Sequence, residues 1–476
     1  MSRLLIQNGT IVTGDDQFAA DVFVIGEKIH AIGPELGRRF AVPPDELVDA
    51  TGCYVFPGGI DAHTHMELPL KTTTSSDTFA SGTGAALIGG TTTILDFANQ
   101  IPGKTLKSAV KDWHAKANGK ALCDYGFHVS VTDFNERTRR EIAECVDEGI
   151  TSFKTFMAYK GALMIDDRQM LEIMEEVKIQ KGLVLTHAEN GDLIDHLVEK
   201  FRKAGSLSPK FHPLSRPVIA EAEACSRIID LARFADCPLY IVHLSSQSGL
   251  QRLAPALETG TEQRRSGKSE KPRAPIIAET CPQYLLLDDS VYSQRGFEGA
   301  KYVLSPPLRK ASDQKHLWAG LGSGMIKVVA TDHCAFTSAQ RRLGVKDFSK
   351  IPNGVPGVEH RMELLYSEGV HKGRLSLQQF VNITSTNPAR IFGLHPQKGA
   401  IHAGADADLV VFDPNEEHVI SSKTHHMNCD YSVYEGVPVT GACRMTILRG
   451  KVVVRRGKLL APAGYGKYLP RQKFEY

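Results

Sequence analysis

Eight short apolar runs separated by helical-looking stretches constrain this chain more than any other feature. They are Tyr54–Ile60, Thr91–Phe97, Asp124–Val131, Thr151–Phe156, Leu183–Thr186, Leu239–Val242, Ile276–Glu279 and Ile326–Ala330. Runs such as Leu183–Thr186 are apolar throughout, the pattern of parallel strands covered on both faces. Eight β/α repeats predict a closed (β/α)8 TIM-like barrel, an α/β fold whose functional side chains gather at the C-terminal ends of the strands. The two ends of the chain read differently. Leu4–Ile6, Ile11–Thr13, Ala20–Ile25 and Lys28–Ile32 at one end, and Asp408–Phe412, Met445–Leu448 and Lys451–Val454 at the other, are β-rich pieces broken by turn residues. They predict a small composite β-sandwich domain from residues 1–52 and 400–460, a barrel over 53–399, and a C-terminal tail over 461–476. Glu258–Arg273 is polar, charged and without apolar periodicity, and reads as a solvated loop insertion.

Bulk composition mainly excludes. Lys+Arg 56 against Asp+Glu 54 leaves a formal charge of +2, so nothing electrostatic calls for a nucleic acid or an anionic membrane surface as partner. No apolar stretch reaches the roughly 18 residues of a membrane span, and the N-terminal apolar run Leu4–Ile6 is too short for a signal-peptide core. The expected compartment is the cytoplasm. Nine cysteines stand singly, which suits free thiols in a reducing compartment better than a disulfide framework or a Cys-only zinc site.

Polar residues of metal-ligand type appear where the apolar runs stop. The first is followed by Asp61-Ala62-His63-Thr64-His65, and histidines at i and i+2 of a strand share one face. The fifth and sixth lead into His187 and His243, and the eighth into Thr331-Asp332-His333. Taken singly, an isolated histidine is a common structural residue and Asp332 a possible helix cap. Together they converge on one barrel mouth, with donors suited to zinc or a similar divalent ion. Four histidines and a carboxylate exceed what one catalytic zinc usually takes; a two-metal site needs a bridging anion. Lys154, inside the fourth run, is a candidate: its charge is costly to bury, and reaction with carbon dioxide would give a two-oxygen carbamate. Spacing alone favours an ordinary, partly exposed lysine.

At this point the chain resembles the cyclic amidohydrolases, and most closely the dihydropyrimidinase and D-hydantoinase family. The resemblance covers nearly the whole length. It rests on Pro57-Gly58-Gly59-Ile60-Asp61-Ala62-His63-Thr64-His65-Met66, on Phe153-Lys154-Thr155-Phe156-Met157-Ala158-Tyr159-Lys160-Gly161 and on His187-Ala188-Glu189-Asn190-Gly191. It continues through Val242-His243-Leu244-Ser245-Ser246, Glu279-Thr280-Cys281-Pro282-Gln283-Tyr284, Ser305-Pro306-Pro307-Leu308-Arg309, Thr331-Asp332-His333-Cys334 and Asn353-Gly354-Val355-Pro356-Gly357-Val358-Glu359. The resemblance implies two Zn2+ per subunit, bridged by Lys154 as N6-carboxylysine. His63, His65 and Asp332 would hold the more buried ion, and His187 and His243 the more exposed one. It further implies ring opening of dihydropyrimidines or 5-substituted hydantoins by a hydroxide shared between the ions, with Asp332 shuttling the proton. Tyr159 would stabilise the oxyanion, and main-chain groups of Ser305 and Asn353 would hold the ring. A homotetramer comes from the family alone.

Departures separate the relatives. Dihydroorotase carries an arginine two residues after the second histidine to grip the substrate carboxylate; here that position is Glu67, the wrong charge. An allantoinase-type ureide hydrolase shares the ligands but typically lacks Met157-Ala158-Tyr159-Lys160-Gly161, and stays as an alternative. So does a non-catalytic scaffold of dihydropyrimidinase-like type, although every ligand type is kept here. Leu68-Pro69-Leu70, Phe156 and Tyr159 are candidate apolar walls for the ring substituent, and His333 and Cys334 candidate supports beside the metal site.

Overall fold

The computed structural model describes residues 1–39, 43–265 and 273–475. Gly59–Thr64, Thr91–Asn99, Asp124–Ser130, Ser152–Phe156, Leu183–His187, Leu239–Ile241, Ile276–Thr280 and Val328–Val329 lie side by side in chain order. All neighbouring pairs are parallel. The sheet closes between its first and last strands through a parallel bridge from Thr64 to His333, where His65 N donates to His333 O at 2.8 Å. This is the expected (β/α)8 barrel.

Parallel neighbours require crossovers, and helices supply them. Glu136–Asp147 shows how the sequence sets one: the Asn135 side chain accepts from the backbone N–H of Arg137 and Thr138, and Ile142, Cys145 and Val146 bury one stripe. Along the strands, side chains sort with a period of two. Leu95 and Phe97 join the barrel interior with Ile60, Leu185, Tyr240 and Val328, while Ile94 and Ala98 belong to the larger core under the helices with Val110 and Trp113.

The terminal segments build a second, mixed sheet of nine strands. Arg3–Val12 lies near its centre, between Gln17–Ile25 and Tyr54–Pro57; Leu409–Val419, Pro438–Leu448, Lys451–Arg455 and Lys458–Leu459 continue beyond Tyr54–Pro57. Glu46–Asp49, which carries no strong strand pattern, pairs with the first half of Arg3–Val12. The register of that long strand shifts between Ile6 and Gly9, so its two halves take different partners.

Two readings need correction. Tyr54–Ile60 is not one barrel strand: Tyr54–Pro57 pairs with Leu409–Val419 in the terminal sheet, and the barrel strand starts at Gly59. The exchange falls at Gly58, whose N–H donates to Asp408 O at 2.8 Å and where a Cβ would run into the Thr92 side chain. Glu258–Arg273 is not wholly a loop, because the helix Gln247–Arg265 runs into it; residues 266–272 lie outside the described residues. The last residues lie along the third barrel strand, with Tyr125 N donating to Lys467 O and Leu469 N to Tyr125 O. All nine cysteines are free thiols, eight of them buried. Among the described residues no helix is long and apolar enough to cross a membrane.

Candidate metal centre

His63, His65 and Asp332 meet at one point of the barrel mouth. His63 Nε2 and His65 Nε2 lie 3.1 and 3.0 Å from the same carboxylate oxygen, Asp332 Oδ1. Among the described residues this is the one group of three or more His, Cys, Asp or Glu side chains whose ligand atoms all fall within 4.8 Å of one another. Beside it, His187 Nδ1 faces His243 Nε2 at 2.9 Å, and the His243 ring is 5.5 Å from that of His63.

Lys154 stands among them. Phe153 packs outward into the helix-side core, so the period of two turns Lys154 into the barrel, where only 2% of it is exposed. Its Nζ sits 5.0 Å from the Phe97 ring centroid and 5.3 Å from that of Phe156, and among the described residues it makes no ion pair. Burial pulls this amine down to about 7, although Asp332 and Glu279 oppose the shift. The partly exposed lysine that spacing favoured is thus corrected: Lys154 is buried.

Carboxylates hold the outer edges of the imidazoles. His63 Nδ1 bonds Glu279 Oε1 at 2.7 Å, and Glu279 also accepts from the Tyr240 hydroxyl at 2.8 Å and from His243 N at 3.0 Å. His187 Nε2 bonds Glu189 Oε2 at 2.8 Å, and Glu189 in turn pairs with Arg216. Asp61 accepts from His63 N and from the backbone and hydroxyl of Thr331. Burial lowers the affinity of His63 for a proton, but the charges of Glu279 and Asp332 win and lift it to about 9. A site that draws a proton so strongly into a buried place favours a cation. Nitrogen and oxygen donors with carboxylates on the far imidazole nitrogens are the arrangement that fixes ligating histidines, so the donor set fits a zinc-class ion.

Backbone strain collects here as well. His243, Asp332 and Tyr159 have φ of 41°, 52° and 67°, a region costly for residues other than glycine and one that recurs where function fixes a side chain. The Tyr159 ring lies 5.1 Å from that of His187, and burial pushes its phenol up to about 12, so it stays protonated as a donor. Asn353 Nδ2 donates to Ser305 Oγ at 2.8 Å. Tyr159 and Asn353 line a cavity of about 170 Å3 together with Lys160, His212, Arg216 and Phe348; none of the six candidate ligands lines it.

Other expected residues have structural duties. Glu67 Oε2 accepts from Phe79 N at the start of the helix Phe79–Ile88. Leu68 and Phe156 are buried, whereas Leu70 is exposed. His333 Nδ1 accepts from Gly357 N at 3.0 Å, so Nε2 carries the proton and donates to Asp77 at 3.0 Å. The sequence reading gave no role to Glu279, Glu189, Asp61 or Arg216. Glu279 ends an apolar run and Glu189 stands two residues after His187, which could have marked both; nothing local marks Arg216.

The amidohydrolase family model matches residues 54–453. A D-hydantoinase from Geobacillus stearothermophilus is 46% identical over 99% of this chain and 97% of its own length. A D-hydantoinase from Streptomyces coelicolor is 45% identical over 100% of this chain and 99% of its own. The crystal structure of a dihydropyrimidinase from Brevibacillus agri superposes with a TM-score of 0.95 at 46% identity, covering 100% of both chains.

Proposed function

The chain belongs to the amidohydrolase family, among the hydantoinases and dihydropyrimidinases, and from that premise we propose that it opens cyclic amides by hydrolysis. The substrates are 5,6-dihydropyrimidines, giving N-carbamoyl-β-amino acids, and 5-substituted hydantoins, giving N-carbamoyl amino acids. The observation that carries this reading is the gathering of His63, His65 and Asp332 at one barrel mouth, beside the His187–His243 pair and a buried, unpaired Lys154.

In this reading the mouth would take two Zn2+. His63, His65 and Asp332 would hold one and His187 and His243 the other, with Lys154, as N6-carboxylysine, a further ligand. Carbamate formation joins the neutral amine to carbon dioxide and releases a proton, so it requires the low proton affinity that burial gives Lys154. The ions, when bound, supply Lewis acidity that acidifies water and polarises a carbonyl. The chain's own side chains do the rest. The Asp332 carboxylate takes the proton of the attacking water and delivers it to the departing ring nitrogen. The Tyr159 phenol donates to the carbonyl oxygen as negative charge grows there. Main-chain groups of Ser305 and Asn353 align the ring. Phe156 and Leu68 offer apolar walls without a fixed counter-charge, which suits neutral or apolar ring substituents. The assembly is a homotetramer on the strength of the resemblance, and the compartment is the cytoplasm, where nine free thiols stay reduced.

Purified, zinc-loaded protein assayed against dihydrouracil, 5-substituted hydantoins, allantoin and dihydroorotate tests the proposal. Opening of the first two classes supports it. Opening of allantoin alone would favour the ureide hydrolase, and dihydroorotate alone would overturn the argument from Glu67. A zinc-loaded chain that opens none of them is a scaffold. Lys154→Ala is expected to lose activity and at least one metal; retention of both sinks the bridging role.

A further inference from the structure

Away from the barrel mouth, a cavity of about 250 Å3 opens at the seam between the barrel and the terminal sheet. Its walls include His360 and Glu363, at the start of the helix Arg361–Leu365, and His418 on Leu409–Val419. His425 and His426, between Leu409–Val419 and Pro438–Leu448, and Glu359 complete this imidazole and carboxylate set. The proposed reaction uses none of these side chains.

Their hydrogen bonds do not balance. Glu363 Oε1 holds His360 Nδ1 at 2.7 Å, yet His360 Nε2 is shut off from solvent and meets no partner, with 6% of the residue exposed. Both ring nitrogens of His425 are likewise buried and unpartnered, and the two rings stand 6.3 Å apart, edge to face. With His418 Nδ1, four buried nitrogens of the lining meet no partner among the described residues, which is expensive, since each forfeits its hydration without replacement. The chemistry of the wall decides what satisfies them: His360 and His418 share Glu363, His426 holds Glu359 and Arg444 holds Glu416, so imidazole and carboxylate lone pairs dominate the lining over Arg456.

We propose that this seam cavity is a second cation site, separate from the barrel mouth, which takes a divalent transition metal of the zinc class. The donors are His360 Nε2, a ring nitrogen of His425 and a carboxylate oxygen of Glu359. Glu359 is held by His426, whose N and Nδ1 lie 2.6 and 2.9 Å from its two oxygens; each oxygen keeps a further lone pair. Glu363 on His360 Nδ1 repeats the arrangement of Glu279 on His63 Nδ1: a carboxylate fixes the ring so that Nε2 offers its lone pair. The separation between the His360 and His425 rings exceeds by little more than an ångström the 5.1 Å between those of His63 and His65. As placed, the three donors do not all lie within 4.8 Å of one another; binding requires a side-chain rotation of His425, which sits between strands rather than in one.

The test uses Zn2+ alone, with the full chain dialysed to equilibrium against buffered free zinc and bound metal counted by elemental analysis. The parent is compared with the His360→Gln/His425→Gln double variant and with Lys154→Ala. The double variant is expected to hold about one equivalent less than the parent and to keep the parent's ring-opening rate. Lys154→Ala, losing metal at the barrel mouth, keeps the seam equivalent, so failure of the seam site and failure of the proposed function are told apart. Equal zinc in parent and double variant overturns the proposal; so does a loss of zinc that takes the activity with it. If the double variant does not fold, His425→Gln alone carries the comparison, with the visible spectrum of bound Co2+ as readout. An unchanged cobalt spectrum in that variant overturns the site.

Discussion

At the scale of single residues, the candidate centre separates groups that meet substrate from groups that hold a ligand in place. In the proposed reaction Tyr159 is of the first kind. Tyr159→Phe keeps the ring against His187 but removes the donor, so kcat should fall by about 10²–10³-fold, or about 2.7–4 kcal/mol, with little change in KM. Steady-state kinetics on a hydantoin checks this, and an unchanged kcat removes the phenol from the mechanism. Glu279 is of the second kind, since it touches His63, Tyr240 and the backbone of His243 at once. Glu279→Gln puts an amide where three donors converge and takes away the charge behind His63. Metal affinity, measured by competition with a chelator, should drop about 10–100-fold. Activity should return at raised zinc, which a residue acting directly on substrate would not allow. The gathering of His63, His187, His243 and Asp332 at the mouth was legible in the sequence, because they stand where apolar runs end. The carboxylates behind the imidazoles were not. Glu279 ends an apolar run, but its pairing with an imidazole on another strand leaves no spacing to read, since 216 residues separate it from His63.

At the scale of elements, each barrel strand must stop at the mouth and the chain must turn promptly into the next helix. After His187 this depends on Asn190. Its Oδ1 accepts from Leu193 N at 3.0 Å and caps the helix Gly191–Lys203, while Nδ2 donates to Glu223 at 2.7 Å. Asn190→Ala should cost about 1 kcal/mol, seen as a lower midpoint in a thermal melt with zinc content unchanged. A midpoint equal to the parent's would show that tertiary packing alone starts this helix. The run Tyr54–Ile60 marks the limit of reading elements from apolarity. All its residues from Val55 onward are buried, so no periodicity divides the terminal sheet from the barrel. The division comes from backbone geometry at Gly58, where Asp408 O takes the N–H and Thr92 leaves no room for a side chain. Both are distant in sequence.

At the scale of the whole molecule, barrel and terminal sheet are fastened by a buried ionic cluster. Lys398 Nζ reaches Asp124 at 2.7 Å on the third barrel strand, Asp408 at 2.6 Å just before Leu409–Val419, and Asp406 at 3.0 Å. Arg449 pairs with Asp124 from the far side of the terminal sheet, and its backbone N–H donates to Asp408 at 2.8 Å. Burial works against the charge on Lys398, but Asp408, Asp124 and Asp406 outweigh it and raise its pKa well above 10.5. With the folded value above the unfolded one, the stabilisation is whole below about pH 10.5 and fades only as pH climbs through the folded value. Removing the lysine reverses the balance, because Asp408 then faces Asp124 and Asp406 without its ion-pair partner, although Arg449 still pairs with Asp124 and Lys28 with Asp406. Lys398→Met should destabilise by about 3–5 kcal/mol at pH 8. The deficit should shrink as pH falls towards 5, where the orphaned carboxylates can take up a proton and shed their charge. Melting midpoints of parent and variant at intervals between pH 5 and 9 measure this. A deficit that stays level or grows on acidification would mean that the lysine's methylene stem, rather than its charge, joins the two sheets.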